Sequence, residues 1–136
     1  MATQRDTEMK ELVELTPEPS SAQPLLPKVF LRACVLILLH AQPCHGYELL
    51  DQLRQLGMTG VDTGGLYRSL RSMEEDGLVR SQWETSPSGP PRRSYDLSPD
   101  GEVALEDAVV HLEQVRDRLD RLVEVYAASR LGRTSR

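Results

Sequence analysis

The chain has 136 residues, the size of one ordinary domain, which leaves no room for a two-domain enzyme. Hydrophobic residues make up 39% and charged residues 27%, and one Phe, one Trp and four Tyr are too few to fill a core, so Leu, Val and Ala must do it, which favours helices. Sixteen basic against 21 acidic residues give a net charge of -5, so a polyanion has to be met by a local basic patch and not by an overall field.

Two cysteines, Cys34 and Cys44, do not make a secreted disulfide framework and fit reduced thiols. The apolar run from Val29 to Leu39 contains Arg32 and falls well short of the roughly 18 residues that span a bilayer. It also follows an acidic, polar lead too long for a signal peptide. The expectation is a cytoplasmic protein with no membrane segment.

Residues 1–24 carry Arg5 and Lys10 against Asp6, Glu8, Glu11, Glu14 and Glu18, with Pro17, Pro19 and Pro24 near the end, the pattern of an acidic flexible tail. From Leu25 to about Ala41, Leu25, Leu26, Val29, Phe30, Ala33, Leu36 and Ile37 recur at three- and four-residue steps, which predicts a helix ended by Pro43. A second helix runs from Gly46 to Leu56 with Leu49, Leu50 and Leu53 on one side, and Gly57 stops it. A third begins after Asp62 or Thr63, either of which can cap it, and reaches Asp76, with Leu66, Leu70 and Met73 facing inward and Gly77 as its stop.

Val79, Ser81 and Trp83 then alternate with Arg80, Gln82 and Glu84, the period of a strand. After the turn-forming run Thr85 to Pro91, Arg93, Tyr95 and Leu97 alternate with Arg92, Ser94 and Asp96, so the segment reads as a β-hairpin with a long exposed tip. The last helix opens with Ser98 as N-cap and Pro99, Asp100 and Glu102 in its first turn, and Gly132 is expected to end it. Along it Leu105, Ala108, Leu112, Val115, Leu119, Leu122 and Tyr126 form a heptad seam. So narrow a seam predicts a homodimer through this helix; the alternative is that the helix folds back on its own chain.

The expected fold is mainly α with a small β-hairpin. A winged helix-turn-helix domain spans 25–98, a dimerisation helix 99–131, and a short tail 132–136. In a winged helix the third helix enters the DNA major groove and the hairpin follows the backbone. With Leu66, Leu70 and Met73 turned inward, the outer face of the third helix carries Gly64, Arg68, Arg71 and Glu75, flanked by Tyr67. Two arginines one turn apart can reach guanine edges or phosphates, and Gly64 lets the backbone approach closely. Arg92 and Arg93 follow a flexible tip with no acidic residue between Thr85 and Ser94, a local cation pair where a wing needs one. An ordinary solvated surface would explain the same arginines.

Three blocks then match one family in order. Leu36 to Glu48, ending His45-Gly46-Tyr47-Glu48, resembles the opening signature of the PadR family of bacterial transcriptional regulators. Gly64 to Val79 resembles its Gly-Thr-Leu-Tyr helix with the trailing Leu-Glu-Glu-x-Gly-Leu, and Arg93 to Gly101 resembles its Arg-x-Tyr-x-Leu-Thr-x-x-Gly wing. The resemblance implies a winged-helix DNA-binding domain, a C-terminal dimerisation helix and repression of promoters. It assigns DNA contact to Thr63, Tyr67, Arg68, Arg71, Arg92 and Arg93, with His45 and Tyr47 as supports near the second helix. Gly65 stands where the family has Thr and Met73 where it has Leu, so the operator sequence does not carry over.

Other chemistry is weakly represented. Trp83 is a candidate for stacking on a small-molecule effector, although packing beneath the hairpin is the plainer reading. Cys34, His40, Cys44 and His45 lack the close spacing of a structural zinc site, and no metal or other cofactor is expected. Cys44 beside His45 raises the idea of a redox-sensitive thiol. Without a phosphate loop, a nucleophile elbow or a His-Glu-x-x-His pattern, no enzyme is expected.

The reading is thus a homodimeric repressor on a pseudo-palindromic duplex operator, open to control by a small-molecule effector. The alternatives are a protein-interaction module on the same scaffold with little or no DNA binding, and a sensor whose ligand bridges the dimer.

Overall fold

The structure, a computed structural model, describes residues 26–134, so the acidic tail read over 1–24 lies outside the described residues. A 3-10 turn, Lys28–Phe30, leads into helix α1, Leu31–Ala41. The helix expected from Leu25 therefore begins later: Pro27 has no amide to donate and turns Leu26 away from helical angles. The Leu26 N–H donates instead to the Gly57 carbonyl at 3.2 Å.

After Pro43 comes β1, Cys44–His45, a strand too short to show any alternation, and then α2, Gly46–Gln55. Gly57 takes φ +97° just past the end of α2, the left-handed turn that a residue without Cβ adopts freely. Helix α3, Thr63–Glu75, is capped by Asp62 and closed by Gly77 at φ +78°. In the connection between α2 and α3, Met58 and Val61 are buried, two core residues that periodicity does not reveal.

Strands β2, Val79–Ser86, and β3, Gly89–Leu97, form the hairpin, and the antiparallel sheet runs β1-β3-β2 with β3 in the middle. Its tip is shorter than expected, because Pro90 and Pro91 belong to β3. Pairing with β1 is confined to Ser94 and Tyr95, so the outer part of β3 has one open edge, where a residue lacking an N–H breaks no ladder.

Helix α4, Pro99–Thr134, runs through Gly132, which was expected to end it. Glycine permits a left-handed exit but does not impose one, and among the described residues only Gly57 and Gly77 have positive φ.

One core joins the elements: Val35 and Leu39 of α1, Leu49 and Leu53 of α2, Leu66, Leu70 and Met73 of α3, Val79 and Leu97 of the hairpin, and Leu105 of α4. Each such side chain contributes about 1.5–3 kcal/mol by leaving water. Ser98 locks the hairpin to α4. Its hydroxyl donates to the Gly77 carbonyl at 2.5 Å and accepts the Gly101 N–H at 3.0 Å. Arg32 ties α1 to the end of α3 through Asp76 and Ser72.

The heptad seam divides along α4. Leu105 belongs to the chain's own core, Ala108 packs against it, and Leu112 and Val115 are half-buried. Beyond them Leu119, Leu122 and Tyr126 are 57%, 65% and 63% exposed. The fold-back alternative therefore describes the first turns of the seam, and the remainder is bare on this chain.

Candidate nucleic-acid interface

Helix α3 is positioned by its cap. The Asp62 carboxylate accepts the Gly65 N–H at 2.7 Å, and that bond, with Arg68 nearby, holds the carboxyl below its usual range. A Cβ on residue 65 would come within 2.8 Å of Asp62 Oδ1, so glycine in place of the family's threonine leaves room for this close cap. The inward face is as expected, with Leu66, Leu70 and Met73 fully buried. Thr63, Gly64, Tyr67, Arg68 and Arg71 are all exposed on the outer side.

The Arg68 guanidinium folds back over the first turn of α3, where Cβ atoms placed on Gly64 and Gly65 would lie 3.4 and 3.7 Å from its nitrogens. Among the described residues no carboxylate lies within ion-pair distance of Arg68, Arg71 or Arg92. Arg68 stands near enough to Asp62 to hold that carboxyl down yet makes no ion pair with it, and cations left without ion pairs are what a phosphate backbone attracts.

Arg93 differs. Its Nε donates to Ser81 Oγ at 2.9 Å and its Nη2 to Glu74 Oε2 at 3.3 Å, while the Ser81 hydroxyl donates to Glu74 Oε1 at 2.6 Å. The guanidinium also stands 5.7 Å from the Trp83 ring centroid and 6.0 Å from that of Tyr95. Arg93 is therefore a strut fastening the hairpin to α3, and Arg92 is the hairpin arginine left open. Glu74 and Ser81, its partners, were not singled out from the sequence, because nothing in their spacing brings an α3 carboxylate to β2.

Two adjoining clefts mark the face between α3, the start of α2 and the hairpin. One, of about 460 Å³, is lined by Gly64, Tyr67, Arg68, Arg71, Glu74, Arg93 and Tyr95. The other, of about 710 Å³, is lined by His45, Gly46, Tyr47, Glu48, Tyr67, Trp83, Pro91, Arg92, Arg93 and Tyr95. They share Tyr67, Arg93 and Tyr95, so the fold brings nearly all the candidate DNA-contact residues to one continuous surface. Thr63, the exposed first residue of α3, lines neither cleft.

Tyr47 is 82% exposed on this face and Trp83 67%. The expectation that Trp83 packs on the helices beneath is corrected: its ring forms a wall of the cleft with Arg93 beside it. His45 is pinned by two carboxylates, with Nδ1 2.9 Å from Glu48 and Nε2 2.9 Å from Glu84. These hydrogen bonds, Glu48 first and then Glu84, raise its pKa above the ordinary histidine value.

The redox idea for Cys44 does not hold. The thiol is buried, and burial followed by the nearby Glu48 charge pushes its pKa up to about 11, the opposite of an activated thiolate. Among the described residues no three His, Cys, Asp or Glu side chains gather where they could hold a metal ion, and no helix is long and apolar enough to cross a membrane.

Comparison with known proteins agrees with this architecture. Residues 35–107 match the model of the transcriptional regulator PadR-like family. A PadR-like regulator from Bacillus cereus is 28% identical, with 71% of this chain and 93% of that one covered and a TM-score of 0.65. A PadR family regulator from Eggerthella lenta is 25% identical over 88% of this chain and 95% of its own, at a TM-score of 0.62. Bacillus subtilis PadR, solved in complex with operator DNA, shares the fold at 18% identity and a TM-score of 0.55, over 62% of this chain and 49% of that one. No curated protein matches. With the family model covering more than half of its length, the chain belongs to the PadR-like family of transcriptional regulators, which are not enzymes.

Proposed function

We propose that the chain is a cytoplasmic, homodimeric repressor that binds a pseudo-palindromic duplex operator with α3 in the major groove and the hairpin along the backbone. The observation that carries this is the surface joining Arg68, Arg71 and Arg92, three guanidiniums without carboxylate partners among the described residues, beside the exposed Tyr47, Tyr67 and Trp83. Bacillus subtilis PadR, of the same fold, is a DNA-bound relative.

Dimerisation is supported by the bare half of the α4 seam, Leu119, Leu122 and Tyr126, together with Leu112 and Val115. Two protomers double a modest set of cations. With about four phosphates neutralised per protomer, log K falls against log salt with a slope of about -7. A small-molecule effector fits the same scheme, and the exposed Trp83 ring is its candidate contact.

The test is genome-wide capture of DNA bound to the tagged protein, repeated with Arg68→Ala and Arg71→Ala together. Discrete sites sharing an inverted repeat and lost in the double variant are expected. Capture of no DNA, or of the same DNA by the double variant, overturns the reading in favour of a protein-interaction module. Arg68→Ala alone weakens specific binding by about 1–3 kcal/mol if it reads a base.

A further inference from the structure

Two pairs of opposite charge face each other directly across the hairpin. Arg80 stands opposite Asp96 and Glu84 opposite Arg92, and the alternation of side chains puts both pairs on one face. The first pair is closed: Arg80 Nη2 is 3.2 Å from Asp96 Oδ2 and donates to the Leu97 carbonyl at 2.9 Å. The second is open, with no ion pair between Glu84 and Arg92. The open pair lies next to the irregularity in the hairpin between Glu84 and Ser86, and its carboxylate has another partner.

Glu84 is diverted by His45. This residue lies on β1 opposite Ser94, on the far side of β3 from β2, and its ring reaches Glu84 with Nε2 while Nδ1 faces Glu48 on α2. Only the imidazolium donates from both nitrogens; a neutral ring turns a lone pair toward one of the two carboxylates.

We propose that His45 is a positioning residue for DNA binding: by holding Glu84 it leaves Arg92 uncompensated and open to a phosphate. This rests on the DNA-binding reading above. A neutral His45 cannot hold both carboxylates; the tautomer whose lone pair faces Glu84 releases that side chain, whose directly opposed neighbour is Arg92. Glu48 faces His45 from α2, Glu84 from β2, and Tyr67, Tyr95, Arg92 and Arg93 share its cleft. Arg93 is already held by Glu74, so Arg92 is the hairpin cation that a released Glu84 takes.

The sign with pH follows. His45 has its pKa raised in the folded chain, so the clamp is complete below the ordinary value of about 6.5 and is lost as pH rises through the raised one. DNA affinity should fall over the same interval.

The experiment measures binding of the full chain to a fluorescent 30-base-pair duplex of arbitrary sequence at low salt, a probe of phosphate contacts of about that length. It compares wild type, His45→Gln, Glu84→Gln and the double variant between about pH 6 and pH 9, with thermal melting recorded for each. His45→Gln is expected to lose about fivefold in affinity and to flatten the salt slope by about one unit per protomer. Glu84→Gln binds at least as well as wild type and loses the pH dependence, and the double variant regains the affinity of Glu84→Gln. A double variant as weak as His45→Gln makes His45 a direct DNA contact and overturns the inference alone, whereas a wild type that binds no duplex overturns the DNA reading with it. Should His45→Gln fail to fold, the pH profiles of wild type and Glu84→Gln still decide, and identical profiles overturn the inference.

Discussion

Gly46 and Tyr67 meet so closely that a Cβ on residue 46 would stand 2.6 Å from the tyrosine hydroxyl and 2.9 Å from two ring carbons. The first residue of α2 is thus the floor on which an α3 side chain lies. Tyr67 is partly exposed, and its ring can swing outward without disturbing the core. Gly46→Ala is therefore expected to keep the fold and displace the ring into the clefts. Duplex affinity should fall about fivefold, or about 1 kcal/mol, and wild-type affinity in a titration would show that the ring's position is unused.

Gly101 allows no such escape. A Cβ there would lie 2.1 Å from the Leu78 carbonyl oxygen, which also accepts the Ser98 N–H at 3.1 Å. The obstacle is backbone, so α4 must move away from the hairpin. Gly101→Ala should cost about 2–4 kcal/mol, read as a lowered midpoint in urea. Gly132→Ala is the comparison, since a Cβ there meets nothing within 4 Å. Within a helix that change should stabilise by up to about 1 kcal/mol.

Both thiols should be silent in the native protein. Cys34 and Cys44 are buried, and burial raises the pKa of each. Reaction with a disulfide reagent near pH 8 should proceed only as fast as the chain opens, and accelerate sharply when denaturant is added. Rapid native labelling of one thiol would contradict this.

The bare part of the α4 seam gives a prediction about assembly. Leu119 and Leu122 touch no core in the single chain, so a charge at either position should leave its fold intact. Leu119→Asp with Leu122→Asp is expected to convert a dimer to a monomer in sedimentation equilibrium, with an unchanged circular dichroism spectrum apart from the end of α4. A wild type that sediments as a monomer would remove the dimer from the proposal.

Much of this layout is local and was legible from the residues. The cap at Asp62, the inward triad of Leu66, Leu70 and Met73, the stops at Gly57 and Gly77, and the alternation in β2 and β3 depend on neighbours a few positions away. Arg68 and Arg71 follow from the helical repeat once the inward face is known. The errors fall where distance along the chain stops being informative. The hairpin tip was set by an open edge of β3 and the exposure of Trp83 by what the hairpin face meets, whereas the late start of α1 was set locally, by Pro27.

The sequence by itself determined the order of elements, the charge-bearing face of α3 and the family, because periodicity, caps and short motifs are properties of contiguous residues. Tertiary structure decided which cations are free. Arg92 and Arg93 are adjacent and chemically alike, yet Arg93 is bound by Glu74 from α3, while Arg92 stays open with its opposite carboxylate held by His45 from β1. That difference is made by side chains brought together from separate elements, where a few ångströms decide whether a charge is neutralised inside the protein or left for a partner.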